Sequence, residues 1–230
     1  MNPDTELKLG QESIPLYIAR PQTPPPWPGV LVIHEVFGLN DDIRRIADRF
    51  AQNGYLAWAP DILTGAKPMC MVRAIRDLGQ GGGKTLERAR AALQILRESP
   101  ELAASRVGVA GFCMGSGYAL LLGSEGLVNA IADNYGQVPP DPLIEKLCPV
   151  VASYGAKDTT LRQAPPRLEA GLKNAGIPYD LKIYPEAGHS FMNHHTGLLG
   201  RLGPRLGMGY VETAAEDAWQ RILKFFSEQI

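Results

Sequence analysis

The chain has 230 residues, a formal net charge of -1 at pH 7, and hydrophobic side chains at 45% of its positions. A chain of this length and composition is able to bury one sizeable core, so we expect a single domain over residues 1–230. The 23 basic residues are balanced by 24 acidic ones, which gives no electrostatic basis for binding a nucleic acid backbone or an anionic membrane.

The N-terminus and the cysteines indicate the compartment. The first ten residues, MNPDTELKLG, are polar and lack the basic and apolar regions of a secretory signal. No apolar run approaches the roughly 20 residues that cross a bilayer. The three cysteines, Cys70, Cys113 and Cys148, are odd in number and widely spaced, which argues against a disulfide framework. We therefore expect a cytoplasmic protein.

The first elements in chain order are two short strands. The stretches ELKL and IPLYIA predict an antiparallel pair, and a proline cluster follows them. GVLVIHEV is a continuous apolar run, typical of a buried parallel strand. DDIRRIADRFAQNG then has helical apolar spacing, and Asn40 is its predicted N-cap.

The remaining elements alternate between strands and helices. We expect a strand at YLAWAPDIL, a loop through Lys84, a helix at TLERARAALQILRES, a strand at RVGVAGF, and a short helix from Met114 to Leu122. Strands follow at LVNAIADNYG, CPVVASYGAKD and YDLKIYPEAGH, with helices at APPRLEAGLKNAG and AAEDAWQRILKFFSEQ. This alternation predicts an α/β fold with a mostly parallel central sheet and helices on both faces.

One motif carries a candidate nucleophile. In VGVAGFCMGSG, Cys113 stands between Gly111 and Gly115, and the pattern matches the G-x-S-x-G turn with sulfur in place of oxygen. That turn joins a strand to a helix and lifts the nucleophile clear of the sheet. A cysteine at a strand end is otherwise a small buried hydrophobe, but the flanking glycines favour catalysis.

Two candidate partners follow the next predicted strands. Asp158 ends SYGAKD and His189 ends YPEAGH, so the chain order is nucleophile, acid, histidine. The histidine would take the thiol proton, and the aspartate would fix its tautomer. The alternatives are that Asp158 only caps a helix and that His189 is an ordinary loop histidine. Because the carboxyl ends of parallel strands share one edge, we expect the three side chains to meet.

These motifs, together with HEVFGLN and APDIL, resemble the dienelactone hydrolase family of α/β-hydrolases, and the matching stretches span most of the chain. The resemblance implies an α/β-hydrolase fold without a cofactor. It implies Cys113 as nucleophile, Asp158 as acid and His189 as base. It also implies that Glu35 lies beside the thiol and influences its protonation, with a structural salt bridge to an arginine as the alternative. Backbone N–H groups of Val36 and Met114 would form the oxyanion hole.

The substrate contacts are predicted from the same resemblance. Lactone hydrolases of the family hold the substrate carboxylate with arginines, one of them in H-S-F-x-R, whereas this chain has Asn193 at that position. Asparagine does not supply the charge-assisted contact of arginine. The candidate substrate-binding residues are Asn193, Phe37 and Tyr135, with a packed core position as the alternative for Tyr135. Arg73 and Arg76 are either further sources of charge or solvated side chains.

Three further patterns have less specific interpretations. GGGKT at 81–85 lacks the P-loop spacing, so we expect a flexible lid loop at 78–84 with Thr85 capping a helix. The segment 194–209 is either a second lid or a disordered loop. HEVFG is not the zinc motif H-E-x-x-H, and His194 and His195 are interpreted as surface loop histidines, with no metal site.

The sequence thus predicts a hydrolase that cleaves a small ester or lactone through an acyl-thioester on Cys113, with no cofactor and no metal. We expect a small-molecule substrate, no nucleic acid or membrane partner, and a monomer or weak homo-oligomer. The alternative is a non-catalytic α/β-hydrolase scaffold that binds a small hydrophobic ligand. Redox sensing by Cys113 is a third interpretation, although no resolving cysteine is near it in sequence.

Overall fold

The strands lie in one sheet. The computed structural model describes residues 5–64, 68–195 and 208–230. Within these ranges the strands are β1 (Thr5–Leu9), β2 (Glu12–Ala19), β3 (Trp27–Ile33), β4 (Leu56–Pro60), β5 (Leu102–Phe112), β6 (Ala130–Asn134), β7 (Val150–Gly155) and β8 (Tyr179–Tyr184). Their order across the sheet is β1-β2-β4-β3-β5-β6-β7-β8.

The helices connect most of the parallel strands. They are α1 (Asp41–Gln52), α2 (Pro68–Gly79), α3 (Lys84–Arg97), α4 (Met114–Ser124), α5 (Asp141–Ile144), α6 (Ala164–Ala175) and α7 (Glu212–Gln229). No helix in the described ranges has the length and apolar character needed to cross a bilayer.

The sheet is parallel from β4 to β8 and antiparallel at its N-terminal edge. β1 pairs with β2, and β2 with β4, in antiparallel register. β3 pairs in parallel with β4 and β5, and β5, β6, β7 and β8 continue the parallel ladder. The predicted fold class is confirmed, including the antiparallel N-terminal strands. Every residue of β4, β6 and β7 is buried, because helices cover both faces of the parallel strands.

Two apolar clusters form the core, one on each face of the sheet. The first contains Leu93 of α3, Leu120 of α4 and Leu168 of α6. The second contains Phe50 of α1 and Trp219 of α7. Burial of such side chains contributes about 1.5–3 kcal/mol each, so both layers hold the sheet rigid beneath its loops.

The helix after β3 begins as its sequence predicts. Asn40 has extended backbone geometry, and its Oδ1 accepts a 3.0 Å hydrogen bond from the backbone N–H of Ile43. Asp41 and Asp42 lie in the first turn, where they interact favourably with the helix dipole. This cap fixes where the chain turns after the strand that ends at Ile33.

The segment before Lys84 differs from its prediction. We predicted a loop there, but residues 68–79 form α2, whose outward face carries Met69, Val72 and Ile75. The apolar residues of this segment recur at helical spacing in the sequence, and the loop prediction overlooked them. The turn after α2 is tight, since Gly82 N–H donates to Asp77 O at 3.0 Å, and a mobile lid at 78–84 is not supported.

The start of α3 and one short helix also correct the prediction. Gly83 is the N-cap of α3, so the proposed capping role of Thr85 is wrong. Thr85 is instead buried within the first turn. The four-residue α5 was not predicted, because a single turn after Pro140 leaves no periodic pattern.

Candidate active site

Cys113 occupies the turn between β5 and α4. Phe112 is the last residue of the strand and Met114 the first of the helix. Cys113 has φ 54° and ψ -119°, in a region that side-chain-bearing residues rarely adopt. Its side chain is partly exposed and packs against both core clusters. The strained turn therefore presents the thiol at the carboxyl edge of the sheet.

Two glycines allow this turn to pack. A Cβ at Gly115 would lie 2.2 Å from the carbonyl oxygen of Ile33, and one at Gly111 would lie 2.4 Å from Cα of Ser116. Both obstacles are backbone atoms, which do not rotate away. The glycines of the motif are thus required by the close approach of α4 to its own strand and to β3.

The three predicted partners meet above this edge. His189 Nε2 lies 3.1 Å from Cys113 Sγ, and His189 Nδ1 lies 2.6 Å from Asp158 Oδ2. Asp158 follows β7 and His189 follows β8, which are adjacent parallel strands. Asp158 does not cap α6, whose N-cap residue is Gln163. The geometry is that of a nucleophile, a base and an orienting acid.

Asp158 is held as an anion by its neighbours. Thr160 donates to Asp158 Oδ1 from its backbone N–H at 2.9 Å and from its hydroxyl at 2.6 Å. Burial acts to raise the pKa of Asp158, but the hydrogen bonds from His189 and Thr160 outweigh burial and lower it. Thr160 does not contact the other carboxylate oxygen, Oδ2, and that oxygen faces the imidazole.

The imidazole of His189, which lies between Asp158 and Cys113, favours its charged form. Burial acts to lower the pKa of His189, but the hydrogen bonds with Asp158 and Cys113 raise it overall to about 10. A proton on Nδ1 is directed at the carboxylate, so Nε2 is the atom that exchanges a proton with sulfur. The arrangement therefore places a readily protonated imidazole within hydrogen-bond reach of the sulfur.

The backbone around Val36 and Met114 provides candidate oxyanion donors. Met114 begins α4, so its N–H has no acceptor within that helix. Val36 lies in the turn closed by the 3.3 Å bond from Gly38 N–H to Glu35 O. These residues follow the paired neighbours Ile33 and Gly111 at the ends of β3 and β5, so both N–H groups lie at the same edge of the sheet as the thiol.

Glu35 is buried beside the histidine loop. Its Oε1 accepts a 2.5 Å hydrogen bond from the hydroxyl of Ser190, and its Oε2 lies 3.7 Å from His195 Nε2. Burial raises the pKa of Glu35 to about 7, and the Ser190 hydrogen bond offsets part of that effect. Among the described residues its hydrogen-bond and ion-pair partners are therefore Ser190 and His195, and no arginine pairs with it.

The three candidate substrate contacts divide into two groups. Phe37 is 39% exposed at the rim next to Val36. Tyr135 and Asn193 are buried, and the Tyr135 hydroxyl donates to Asn193 Oδ1. Contact between these two side chains and a substrate is thus not supported, because their polar atoms are used inside the protein. The core alternative for Tyr135 is the one the structure favours.

Two neighbours of the site were not predicted. Ser190 follows His189 with φ 58° and binds Glu35. His195, interpreted as a surface residue, has a side chain only 7% exposed and packs edge-on against Phe37 with ring centroids 5.6 Å apart. His194 is exposed and stacks on Tyr210. Only the serine could have been anticipated, from its position directly after the histidine.

The remaining predictions concern α2 and the second loop. Arg73 and Arg76 lie on the exposed face of α2, and Arg76 binds Asp77 at 3.1 Å. Residues 196–207 of the predicted lid at 194–209 lie outside the described residues. Within the described ranges, no group of three or more His, Cys, Asp or Glu side chains is arranged to hold a metal ion.

Comparison with known proteins places the chain in a family. The model of the dienelactone hydrolase family matches residues 14–230. A Yersinia pestis protein named "Putative carboxymethylenebutenolidase" is 29% identical, covering 98% of this chain and 87% of the relative. The crystal structure titled "Putative Dienelactone Hydrolase" from Klebsiella pneumoniae is 26% identical, with a TM-score of 0.80 over 98% of both chains.

A second solved structure agrees in fold. A dienelactone hydrolase-like promiscuous phosphotriesterase from metagenomic libraries has a TM-score of 0.84 and 24% identity, covering 99% of this chain and 97% of its own. These matches confirm the predicted α/β-hydrolase architecture and the prediction of an enzyme of the ester hydrolase class. Because the family model covers nearly the whole chain, this protein belongs to the dienelactone hydrolase family.

Proposed function

We propose that this protein hydrolyses small neutral carboxylic esters or lactones through an acyl-thioester on Cys113. The observation that carries the proposal is the continuous contact from Asp158 through His189 to a partly exposed sulfur, at 2.6 Å and 3.1 Å. A cysteine that served only to fill the core would need neither the left-handed turn nor a buried imidazole.

The first half of the reaction transfers the acyl group. The thiol proton passes to His189 Nε2, and Sγ attacks the ester carbonyl carbon to form a C–S bond. The carbonyl oxygen gains the negative charge and accepts hydrogen bonds from the N–H groups of Val36 and Met114. The C–O bond to the leaving group then breaks as His189 returns the proton to the departing alkoxide oxygen.

The second half releases the acid. Water enters beside the thioester, gives a proton to His189 Nε2, and attacks the carbonyl carbon, while the same two N–H groups bind the oxyanion. The C–S bond breaks and sulfur leaves as thiolate, stabilised by the imidazolium. Asp158 keeps the Nδ1 proton in place throughout, because both of its oxygens are already engaged.

Glu35 would adjust the charge around the thiol. Its pKa of about 7 places its ionisation near neutral pH. Ionised Glu35 stabilises the positive His189 nearby, whereas protonated Glu35 does not. We therefore assign Glu35 an electrostatic role that acts through the imidazole, with Ser190 holding the carboxyl in place.

The substrate class follows from what lines the rim. Phe37 offers an exposed ring beside the proposed oxyanion donor Val36, which suits an apolar acyl group. Asn193 is engaged internally and supplies no contact for a substrate carboxylate. A neutral ester or lactone of small size is therefore the substrate that these residues support best.

The test is hydrolysis of para-nitrophenyl acetate and of a neutral lactone by wild type, Cys113→Ala and Cys148→Ala. Cys148 is a matched control because burial raises the pKa of its thiol to about 12. We expect Cys113→Ala to lose at least about 1,000-fold in kcat/KM, and Cys148→Ala to keep activity within about twofold. Mass spectrometry of quenched wild type should detect an acyl adduct on Cys113. Activity independent of Cys113 would refute the proposal.

We also propose the compartment in which the protein acts and its oligomeric state. Cys70, Cys113 and Cys148 are all free thiols, which suits a reducing compartment, and we propose the cytoplasm. A small-molecule substrate needs no macromolecular partner, so we propose a monomer or weak homo-oligomer. Gel filtration with light scattering across a concentration series tests the oligomeric state.

A further inference from the structure

A chain of buried polar side chains runs from the candidate histidine to α1, and the proposed reaction does not use it. The Tyr135 hydroxyl donates to Asn193 Oδ1, and Asn193 Nδ2 donates to Asp42 Oδ2 at 2.7 Å. Asp42 Oδ1 accepts from Arg45 at 2.8 Å and 3.0 Å. We refer to Tyr135, Asn193 and Asp42 as the histidine brace.

The brace is nearly closed to solvent, and its hydrogen bonds are directional. Tyr135 is 0% and Asn193 is 1% exposed, and the side chain of Asp42 is 8% exposed. The carboxylate of Asp42 accepts only, so the NH₂ of Asn193 must face it and the amide oxygen must face Tyr135. Loss of one link would leave a buried polar atom unpaired, which is energetically costly.

The brace contacts the candidate base through the Tyr135 ring. The ring centroids of Tyr135 and His189 lie 5.4 Å apart in an edge-to-face arrangement with an interplanar angle of 64°. Phe191 packs against the same tyrosine ring at 5.4 Å. A ring held by its own hydroxyl therefore limits how far the imidazole is able to tilt.

The backbone around the imidazole is strained and depends on such support. Tyr135 has φ 49° and Ser190 has φ 58°, both in the left-handed region. The N–H of Asn193 donates to Ser190 O at 3.0 Å and closes the turn after His189. Residues in this region are strained and persist only where their surroundings fix them. Asn193 supports this turn with both its backbone and its side chain.

We propose that Tyr135 and Asn193 are positioning residues that hold the His189 imidazole in line between Asp158 and Cys113, anchored to α1 through Asp42. The proposal rests on the proposed function, because the group being positioned is the proposed base. Phenol and amide suit this task, since neither changes charge near neutral pH. Burial raises the pKa of Tyr135 well above its ordinary value, which keeps the hydroxyl a donor.

The test compares kinetics for Tyr135→Phe, Asn193→Leu and the double variant. Tyr135→Phe keeps the ring and removes only the hydroxyl. We expect kcat for para-nitrophenyl acetate to fall about 10- to 100-fold in each single variant, with KM within about twofold, because a displacement near 1 Å costs about this much. The kcat of the double variant should fall no further than that of the less active single variant, since both substitutions remove the same hydrogen bond.

A second readout separates positioning from stability alone. Iodoacetamide alkylation of Cys113 at pH 6.5 reports how strongly His189 activates the sulfur, and it should slow about 5- to 20-fold in both variants. Tyr17→Phe is the matched control: Tyr17 is equally buried and its hydroxyl donates to Asp48 on α1 at 2.7 Å. It should lower the melting temperature while leaving kcat and alkylation at wild-type values.

The outcomes distinguish the two proposals. If Tyr135→Phe and Asn193→Leu keep wild-type kcat and alkylation rates while only melting earlier, the brace is structural and the positioning proposal is overturned. If a single variant fails to fold, Asp42→Asn tests the outer link and should lower kcat about 3- to 5-fold; an unchanged kcat would overturn the proposal. If Cys113→Ala retains activity, the proposed function itself fails, whatever the brace variants do.

Discussion

The hydroxyl of Ser190 donates a 2.5 Å hydrogen bond to the buried carboxyl of Glu35, and so connects the residue after the candidate histidine to the end of β3. This bond joins two loops that are 155 residues apart in the chain. Among the described residues no arginine or lysine pairs with Glu35, which makes its carboxylate a costly charge to bury.

Glu35 should make stability depend on pH. Its pKa is about 7 in the folded protein and near 4.5 when exposed, so the folded state loses stability as the pH rises from about 4.5 to about 7. Glu35→Gln removes the charge and keeps an acceptor for Ser190. We expect it to stabilise the protein at pH 8 by roughly 1–3 kcal/mol relative to its effect at pH 5.

Denaturant titrations at pH 5 and pH 8 measure this difference in the free energy of unfolding. Glu228→Gln, an exposed carboxyl on α7, is the control and should show no pH-dependent gain. An equal effect of Glu35→Gln at the two pH values would contradict the assigned ionisation.

Asp158 should act through the histidine tautomer. In Asp158→Asn the amide no longer requires a proton on His189 Nδ1, so the ring loses its orientation and its stabilised charge. We expect kcat to fall about 100- to 10,000-fold with KM changed only a few-fold. Steady-state hydrolysis of para-nitrophenyl acetate measures both constants.

Two further variants are compared with Asp158→Asn, one with a smaller expected effect and one as a control. Thr160→Ala removes one donor to Asp158 Oδ1 and should lower kcat about 3- to 10-fold. Asp41→Asn removes an exposed carboxylate that pairs with Arg44 and should leave kcat unchanged. Wild-type activity in Asp158→Asn would exclude the carboxylate from the mechanism.

Gly115 should tolerate no side chain. A Cβ there meets the Ile33 carbonyl oxygen at 2.2 Å, and the obstacle is backbone on β3. Gly115→Ala should therefore destabilise the protein by roughly 2–4 kcal/mol, although alanine favours a helix over glycine. In Gly82→Ala, where the added carbon has nothing within 4 Å, thermal melting should change little. Equal melting temperatures for the two variants would show that the turn has room.

Phe37 should contribute to substrate binding and not to chemistry. Its exposed ring lies beside Val36, and its removal takes apolar contact from a bound acyl group. Phe37→Ala should raise KM for esters with apolar acyl groups about 3- to 10-fold while kcat stays within about twofold. Met69→Ala removes an equally apolar, exposed side chain from α2 and serves as the control. A fall in kcat without a change in KM would place Phe37 in the positioning machinery instead.

The sequence by itself determined the architecture and the candidate trio. Alternating apolar strands and amphipathic helices leave few arrangements other than a parallel sheet covered by helices on both faces. The helix cap at Asn40 and the glycine turn around Cys113 are local features, so the residues next to them in the sequence are enough to predict them. Chain order then placed Asp158 and His189 after neighbouring strands, whose carboxyl ends meet at one edge.

Tertiary structure alone decided which polar groups face one another around that trio. Glu35 meets Ser190 and His195, and Tyr135 meets Asn193 and then Asp42, across separations that no local pattern records. The outward apolar face of α2 is likewise a matter of where that helix packs. Hydrogen-bond partners of buried side chains depend on distances of a few tenths of an ångström between elements far apart in the chain, and only the packed core fixes such distances.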